Sequence, residues 1–369
     1  AAGVPPERVG KAPKDPSATP AFTVLAKNGI AEFTAEHPDG YVIGGTAWDF
    51  AHQGRVPRGS LDLLVIDEAG QFSLASTIAV SLAASRLLLL GDPQQLPQVS
   101  QGTHPEPVDT SALGWIVDGA DVIPAAYGYF LARTWRMHPD VAASVSTLSY
   151  AGELRAHPST AQRSLEGIRP GLHAVPVRHR GNATWSPEEA AKVAEIVTDL
   201  IGRPWRSVST DVSGATIAGP ERPLEAGDII VVTPYNAQQV AVEDALRAGG
   251  HGDVRVGTVD RFQGQEAAVA IVSLAASAGR DAPRGLEFLL LRNRLNVAVS
   301  RAMHAAFVVY SPGLLDDLPR TPEGVARLSA FARLVGADPR ASFGRPASTV
   351  SIESAADDVN PVQVARARP

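Results

Sequence analysis

The chain of 369 residues contains no cysteine, which excludes disulfides and thiolate metal sites. Its nine histidines are scattered, none at the close spacing of a structural zinc site. No apolar run approaches the roughly 18 residues of a membrane span; Leu87–Leu90 and Leu289–Leu291 are short and bounded by charge. The opening stretch, AAGVPPERVGKAPKD, lacks the apolar core of a secretory signal. A cytoplasmic location and no membrane partner are expected, although the lack of cysteine does not by itself establish the former. Lysine is scarce, occurring only at Lys11, Lys14, Lys27 and Lys192, and the net charge is −6. That balance lacks the footprint of a strongly basic nucleic-acid binder, although a protein that holds a strand in one local groove needs no basic surplus.

What is present is an ordinary globular composition, 44% hydrophobic and 20% charged. The length predicts roughly two or three domains of about 100–200 residues each. From Tyr41 onward short apolar runs alternate with helical stretches: YVIGGT (41–46), LDLLVI (61–66), RLLLL (86–90), YFLA (129–132), DIIVVT (228–233), AVAIVSL (268–274) and AFVVY (306–310). Continuous apolar strands of this kind fit parallel α/β layers buried on both faces. Pro139 suits a first helical turn, and Ser186-Pro187-Glu188-Glu189 opens a helix to Leu200 with a cap, a proline at the first position and early acids.

Turn residues at 100–125 place a hinge between two groups of strands. The expected organisation is a linker or ragged end over 1–20, a first α/β unit over 21–120 and a second over 121–320. A terminal helix over 321–339 and a disordered tail over 340–369 follow. The long polar connection 203–227 reads as a mobile excursion.

Five elements carry the chemistry. Asp67-Glu68 follows the strand LDLLVI, at the end where α/β sheets place ligands. There one carboxylate can hold Mg²⁺ on nucleotide phosphates while the other orients an attacking water; an exposed turn is the plainer alternative. LLLLGDPQQLPQV (87–99) repeats the plan, with Gly91 allowing the tight turn and the Gln95 amide able to reach a terminal phosphate. In TWRMHP (134–139), Arg136 offers a forked donor and Trp135 a stacking face, while His138 reads as structural. GTVDRFQGQE (257–266) carries Gly264 and Glu266. RLNVAVSRA (294–302) reads as a helix bearing Arg301 near its end, where a solvated, dipole-compensating arginine is the ordinary case.

In this order the elements resemble the superfamily 1 helicases, in the 5′→3′ branch that includes the nonsense-mediated-decay helicases and senataxin. DEAGQ (67–71), GDPQQLPQ (91–98), WRMHP (135–139), TPYNAQ (233–238), VDRFQGQE (259–266) and LNVAVSRA (295–302) follow the family's order, and VIGGTAW (42–48) resembles a strand-contact motif. The resemblance implies two RecA-like domains with mostly parallel sheets, the first incomplete, working on ATP, Mg²⁺ and single-stranded DNA or RNA. It implies that Asp67 ligates Mg²⁺, Glu68 activates water, Gln95 senses the γ-phosphate, and Arg136 with Arg301 neutralises it. Glu266, beside Gly264, would sit near the ribose, and Trp135 against the adenine, where the family usually has tyrosine. Thr46, Thr233 and Thr258 would touch the nucleic-acid backbone.

One family element is missing. The phosphate loop G-x-x-x-x-G-K-[ST], or Walker A, cradles the β- and γ-phosphates. The one Gly-Lys pair is Gly10-Lys11, with Pro5 in place of the first glycine and Ala12 in place of the hydroxyl residue. The expectation is a carboxyl-terminal portion that is inactive alone, its Walker A lying on an upstream domain of the same protein. Two competing readings are a module that only grips nucleic acid and a scaffold that docks a partner through 203–227 or the tail.

Overall fold

The computed structural model describes residues 3–11, 21–26, 29–96, 104–105, 107–108, 110–211 and 215–336; the expected tail at 340–369 lies outside them. The first domain rests on two small parallel sheets. Val9–Lys11 (β1) pairs with Thr23–Val24 (β2) on one side and Val42–Gly44 (β3) on the other. Ile30–Glu36 (α1) packs on them, placing Ile30 and Phe33 in a cluster with Leu25, Val56 and Leu61. The segment expected as a linker therefore holds the middle strand of a sheet. Its anchor is Gly10, where a Cβ would come within 2.9 Å of Leu25 and Phe33, a close approach that no hydrophobic pattern announces.

Ala47–Ala51 (α2) leads to Leu64–Ile66 (β4), which crosses over through Leu74–Ser81 (α3) to a parallel partner, Leu87–Leu89 (β5). Ala112–Val117 (α4) returns to this unit, Leu113 joining Leu64, Ile66 and Val80. Ser73 and Ser111 cap α3 and α4 by accepting from the backbone of Ser76 and Gly114.

In the second domain Arg133–Thr134 (β6) pairs with Arg155–Ala156 (β7) across Pro139–Ser149 (α5). The run YFLA at 129–132, expected as a strand, is irregular, and Tyr129 is 96% exposed; four apolar residues without a period do not define an element. Ser164–Leu165 (β8) and Gly171–Pro176 (β9) follow, then Pro187–Leu200 (α6), opened by Ser186 as the sequence predicts.

The described residues of 203–227 are mostly two paired strands instead of a mobile excursion. Pro204–Thr210 (β10) pairs antiparallel with Thr216–Pro223 (β11) and, on its other edge, with β8. Trp205, Val208 and Leu224 are buried beneath it. The polar composition reflects β11, whose residues face solvent.

The main sheet follows: Ile229–Thr233 (β12), Asn236–Ala248 (α7), Arg255–Thr258 (β13), Ala267–Ser273 (β14), Gly285–Leu289 (α8), Arg292–Val299 (α9) and Ala302–Tyr310 (β15). All five strands run parallel in the order β13-β12-β14-β15-β9. Every residue of β12 and β14 is buried. The pleat sends Ile230, Val232, Ala270 and Val272 to a core shared with α5 and α9, and Ile229, Val231, Val269 and Ile271 to one shared with α6 and α7. Each such aliphatic side chain contributes about 1.5–3 kcal/mol by its burial. Pro322–Leu334 (α10) closes the chain's described part, Phe331 against Tyr310. The α/β class with mostly parallel sheets is as expected. Among the described residues no helix is long and apolar enough to cross a membrane.

Candidate nucleotide site

Two turns at the carboxyl ends of β4 and β5 form the first wall. Asp67 Oδ1 accepts the Glu68 amide at 3.0 Å. Glu68 has φ 55°, a left-handed conformation that costs a side-chain-bearing residue roughly 1–2 kcal/mol. Hydrogen bonds from Ala69 N to Leu90 O and from Gln71 N to Glu68 O, both 2.8 Å, hold it there. The two turns touch backbone to backbone: a Cβ on Gly70 would lie 2.5 Å from Asp92 O, and one on Gly91 would lie 2.7 Å from Ala69 N. Glycine serves close approach here. Both carboxylates of the Asp67-Glu68 pair are exposed.

The second wall comes from the second domain. Arg136 Nε meets Glu266 Oε2 at 2.9 Å, and its Nη1 reaches Ser300 O at 3.4 Å. Helix α9 ends at Val299, so Arg301 lies in the turn before β15 and is only 2% exposed. It is not the solvated helix-end arginine that is the ordinary case. Its Nε donates to Val297 O at 3.0 Å and its Nη1 to Gln265 O at 3.2 Å. Burial brings its pKa down to about 10; the charge of Arg136 pushes the same way, against Tyr150, Glu68 and Glu266. Glu68 belongs to the first domain, so Arg301 feels both walls.

The GDPQQLP turn docks directly on α9. Tyr150 donates its hydroxyl to Asp92 Oδ2 at 2.5 Å and accepts from Asn296 Nδ2 at 3.0 Å. Asn296 also donates to Gln94 O at 2.8 Å, and Asn293 donates to Gln95 O at 2.5 Å and Pro93 O at 3.1 Å. The Gln95 amide is turned onto Asp92 Oδ2, 3.1 Å away. Sequence reasoning assigned no role to Tyr150, Asn293 or Asn296. The available signal was a lone polar residue, Asn296, inside the apolar run LNVAV; in the structure it is fully buried.

Between the walls lies a cavity of about 1620 Å³ that brings together Gln95, Trp135, Arg136 and Glu266. Asp67, Glu68, Gly264 and Arg301 are not among its lining residues. Trp135 is 47% exposed and stacks on His157 at 3.6 Å and 16°; His157 does not line the cavity. Ser209, Thr210 and Asp211 at the end of β10 complete the wall. The buried Arg163 ties them in, donating to the backbone oxygens of Arg136, Trp135 (3.1 Å) and Val208 (3.1 Å). Burial lowers the pKa of Arg163, partly opposed by Glu266. No motif in the sequence announces Arg163 or the hairpin.

Of the residues expected to touch a strand, Thr233 and Thr258 are paired neighbours at the ends of β12 and β13. Thr233 is buried, its hydroxyl donating to Tyr235 O at 3.3 Å. Thr46 caps α2 and donates to Asp49 Oδ2 at 2.8 Å. Gln238 of TPYNAQ is buried, accepting from Ser186 N at 2.7 Å and donating to Ser273 Oγ at 2.8 Å. Ser273 and His179 in turn reach the buried Glu189 at 2.7 and 3.0 Å. This network sets the turns at the sheet's carboxyl edge. Gly264 has φ 76° with open space around it.

No group of three metal-ligating side chains occurs among the described residues. Mg²⁺ on a nucleotide keeps several waters and takes one or two carboxylates plus substrate phosphates. The single exposed carboxylate of Asp67 fits that mode.

With this geometry in hand, comparison with known proteins is decisive for the family. An AAA domain profile matches residues 122–312, and a second AAA domain profile matches residues 50–101. The chain belongs to this family and, within it, to the superfamily 1 helicases. It is 30% identical over 261 residues to DNA-binding protein SMUBP-2 of Rattus norvegicus, covering 69% of this chain and 25% of that protein. It is 30% identical over 249 residues to DNA polymerase alpha-associated DNA helicase A of Schizosaccharomyces pombe, covering 65% and 36%. To the DNA replication ATP-dependent helicase/nuclease JHS1 of Arabidopsis thaliana it is 26% identical over 284 residues, covering 70% and 19%. The chain spans about a quarter of the length of the first of these relatives.

Proposed function

We propose that this chain is the carboxyl-terminal motor portion of an ATP-dependent helicase, coupling ATP hydrolysis to movement along single-stranded DNA or RNA and to unwinding. One observation carries the reading: Arg136, paired with Glu266, lines the cavity together with Gln95, and the buried Arg301 feels the charges of Arg136, Glu266 and Glu68. Two guanidiniums set against a water-activating carboxylate suit a transferring phosphoryl group, on which charge must be neutralised in the transition state. A module that only grips nucleic acid has no use for them.

In this reading Glu68, exposed on its left-handed turn, orients the attacking water. Asp67 would hold Mg²⁺, which supplies charge neutralisation on the phosphate oxygens when bound. Arg136 exchanges Glu266 for phosphate, leaving that carboxylate for the ribose. Trp135 offers the base the ring face that His157 does not cover. Thr46, Thr233 and Thr258 serve the strand.

The phosphate cradle comes from an upstream domain of the same protein. Supporting this, β5 pairs only with β4 among the described strands, and Val65, Leu87 and Leu88 of this two-stranded sheet are exposed, as are the flanking Leu63 and Leu90. A parallel sheet is normally covered on both faces.

The test is strand-stimulated ATP hydrolysis, measured for residues 1–369 and for the protein extended upstream through its Walker A. Hydrolysis is expected only in the longer protein. There Arg301→Ala should lower turnover by about 10³–10⁵-fold, roughly 4–7 kcal/mol of barrier, with little change in strand binding. Near-normal hydrolysis with lost strand binding would place Arg301 in the nucleic-acid groove and overturn the assignment.

A further inference from the structure

We propose that Arg284, Arg294 and the hydroxyl of Tyr235 form a phosphate clasp for the backbone of a single nucleic-acid strand. The proposal rests on the strand-motor reading and locates one point of the track. The ring of Phe288, on α8, organises the clasp. Arg284 Cζ lies 3.9 Å from its centroid and Arg294 Cζ lies 4.4 Å from it, while the Tyr235 ring stands 5.7 Å away. Cation–π contact with a single ring holds both guanidiniums at one place.

Three features of this cluster suit it to an anion. First, among the described residues neither guanidinium forms an ion pair or a hydrogen bond, whereas Arg292 and Arg327 beside them do. Second, the two positive charges oppose each other: Arg284 and burial both lower the pKa of Arg294, and the Asp260 carboxylate attracts it. Third, the Tyr235 hydroxyl is buried without a hydrogen-bond partner, an uncommon state for a buried polar atom. One phosphate oxygen accepting from that hydroxyl, with forked donation from the arginines, would resolve all three.

The location selects a strand over a nucleotide. Tyr235 lies two residues beyond Thr233, whose strand is paired with the one ending at Thr258, at the carboxyl edge of the parallel sheet where ligands gather. None of the four clasp residues lines the nucleotide cavity. In a chain of net charge −6, unpaired arginines gathered on an aromatic ring also form a local positive groove of the kind a strand needs.

The experiment follows fluorescence anisotropy of labelled oligo-dT and oligo-U with residues 1–369 across a NaCl series. For single strands each phosphate contact adds about 0.7 to the slope of log affinity against log salt. Arg284→Ala and Arg294→Ala should each lower that slope by about 0.7, and the pair by about 1.4. Arg284→Lys should restore the slope, because it keeps the charge. Tyr235→Phe should weaken binding at an unchanged slope, because it removes a neutral donor. Urea midpoints keep a folding defect separate from lost contacts. Variants that fold and retain the wild-type slope overturn the clasp while leaving the motor reading intact. A wild-type chain with no strand affinity overturns that reading as well. Displacement of the strand by equimolar tripolyphosphate, lost in the double variant, would mark a free-anion pocket and overturn the assignment to a strand.

Discussion

Arg301 offers a direct separation of function from stability. It is 2% exposed and keeps its charge while held only by two carbonyls, Val297 O and Gln265 O. Its pKa falls from the ordinary arginine value to about 10, chiefly through burial. At about 1.4 kcal/mol per tenfold change in acidity, that fall amounts to about 3 kcal/mol disfavouring the buried charge. Arg301→Met keeps the length and apolar stem, removes the charge and gives up two hydrogen bonds worth about 1 kcal/mol each. Replacing a buried charge by an apolar side chain of similar volume is often neutral or stabilising. Urea unfolding of residues 1–369 should therefore shift by no more than about 1–2 kcal/mol, in either direction. The shift should also be flat across neutral pH. A base whose folded pKa is depressed carries its penalty in full below that pKa, and the penalty is relieved only as pH rises through about 10. In the longer protein the same variant should hydrolyse almost no ATP. A loss above about 3 kcal/mol would make Arg301 a keystone of the second domain and refute the view that it is held there for chemistry.

Two further perturbations probe the scaffold of the site. Arg163→Ala strips donors from the backbone oxygens of Trp135, Arg136 and Val208. It should cost about 2–4 kcal/mol and speed amide exchange in Pro204–Thr210; unchanged exchange there would sever the hairpin from the WRMHP turn. Tyr150→Phe removes the hydroxyl shared by Asp92 and Asn296, a bond to a charged group worth about 1.5–3 kcal/mol. The urea midpoint should fall accordingly, and a midpoint that stays put would mean that the GDPQQLP turn docks without it.

What the sequence reveals and conceals follows from how each residue is anchored. Strands β12, β14 and β15 are legible because burial on both faces demands unbroken apolar runs, and α6 because Ser186 and Pro187 mark its start. The order of the polar turns locates the candidate site, since all but the LNVAVSRA element follow a strand's carboxyl end. Strand β1 is concealed because its fit depends on Gly10, a residue whose contribution is the absence of a side chain. The hairpin is concealed because only Trp205 and Val208 anchor β10 while β11 faces water. Arg301 looks like a solvated helix-end residue until the helix is seen to stop two residues earlier. Arg163 acts only through main-chain oxygens far away in sequence, and no local pattern encodes that.

The contacts between the walls make a mechanical point. Asp92 Oδ2 is shared by the Gln95 amide and the Tyr150 hydroxyl, while Asn293 and Asn296 hold the backbone of the same turn. Both asparagines lie on α9, the helix that delivers Arg301, and Tyr150 ends α5, the helix that begins just after Arg136. The turn carrying the proposed γ-phosphate sensor is thus bolted to the elements that carry both arginines. For Gln95 to reach a phosphate it must leave Asp92, and Arg136 must likewise leave Glu266. Each residue is parked on a carboxylate that a phosphate would replace, so nucleotide arrival exchanges like for like and needs little net charge rearrangement. The hydrogen bonds from α9 to the backbone of the turn survive that exchange, because they use Pro93, Gln94 and Gln95 oxygens and not the side chain of Gln95. Gln95 and Arg136 can therefore switch partners while the two walls stay joined, which in the proposed motor would let a change at one phosphate be felt in both domains.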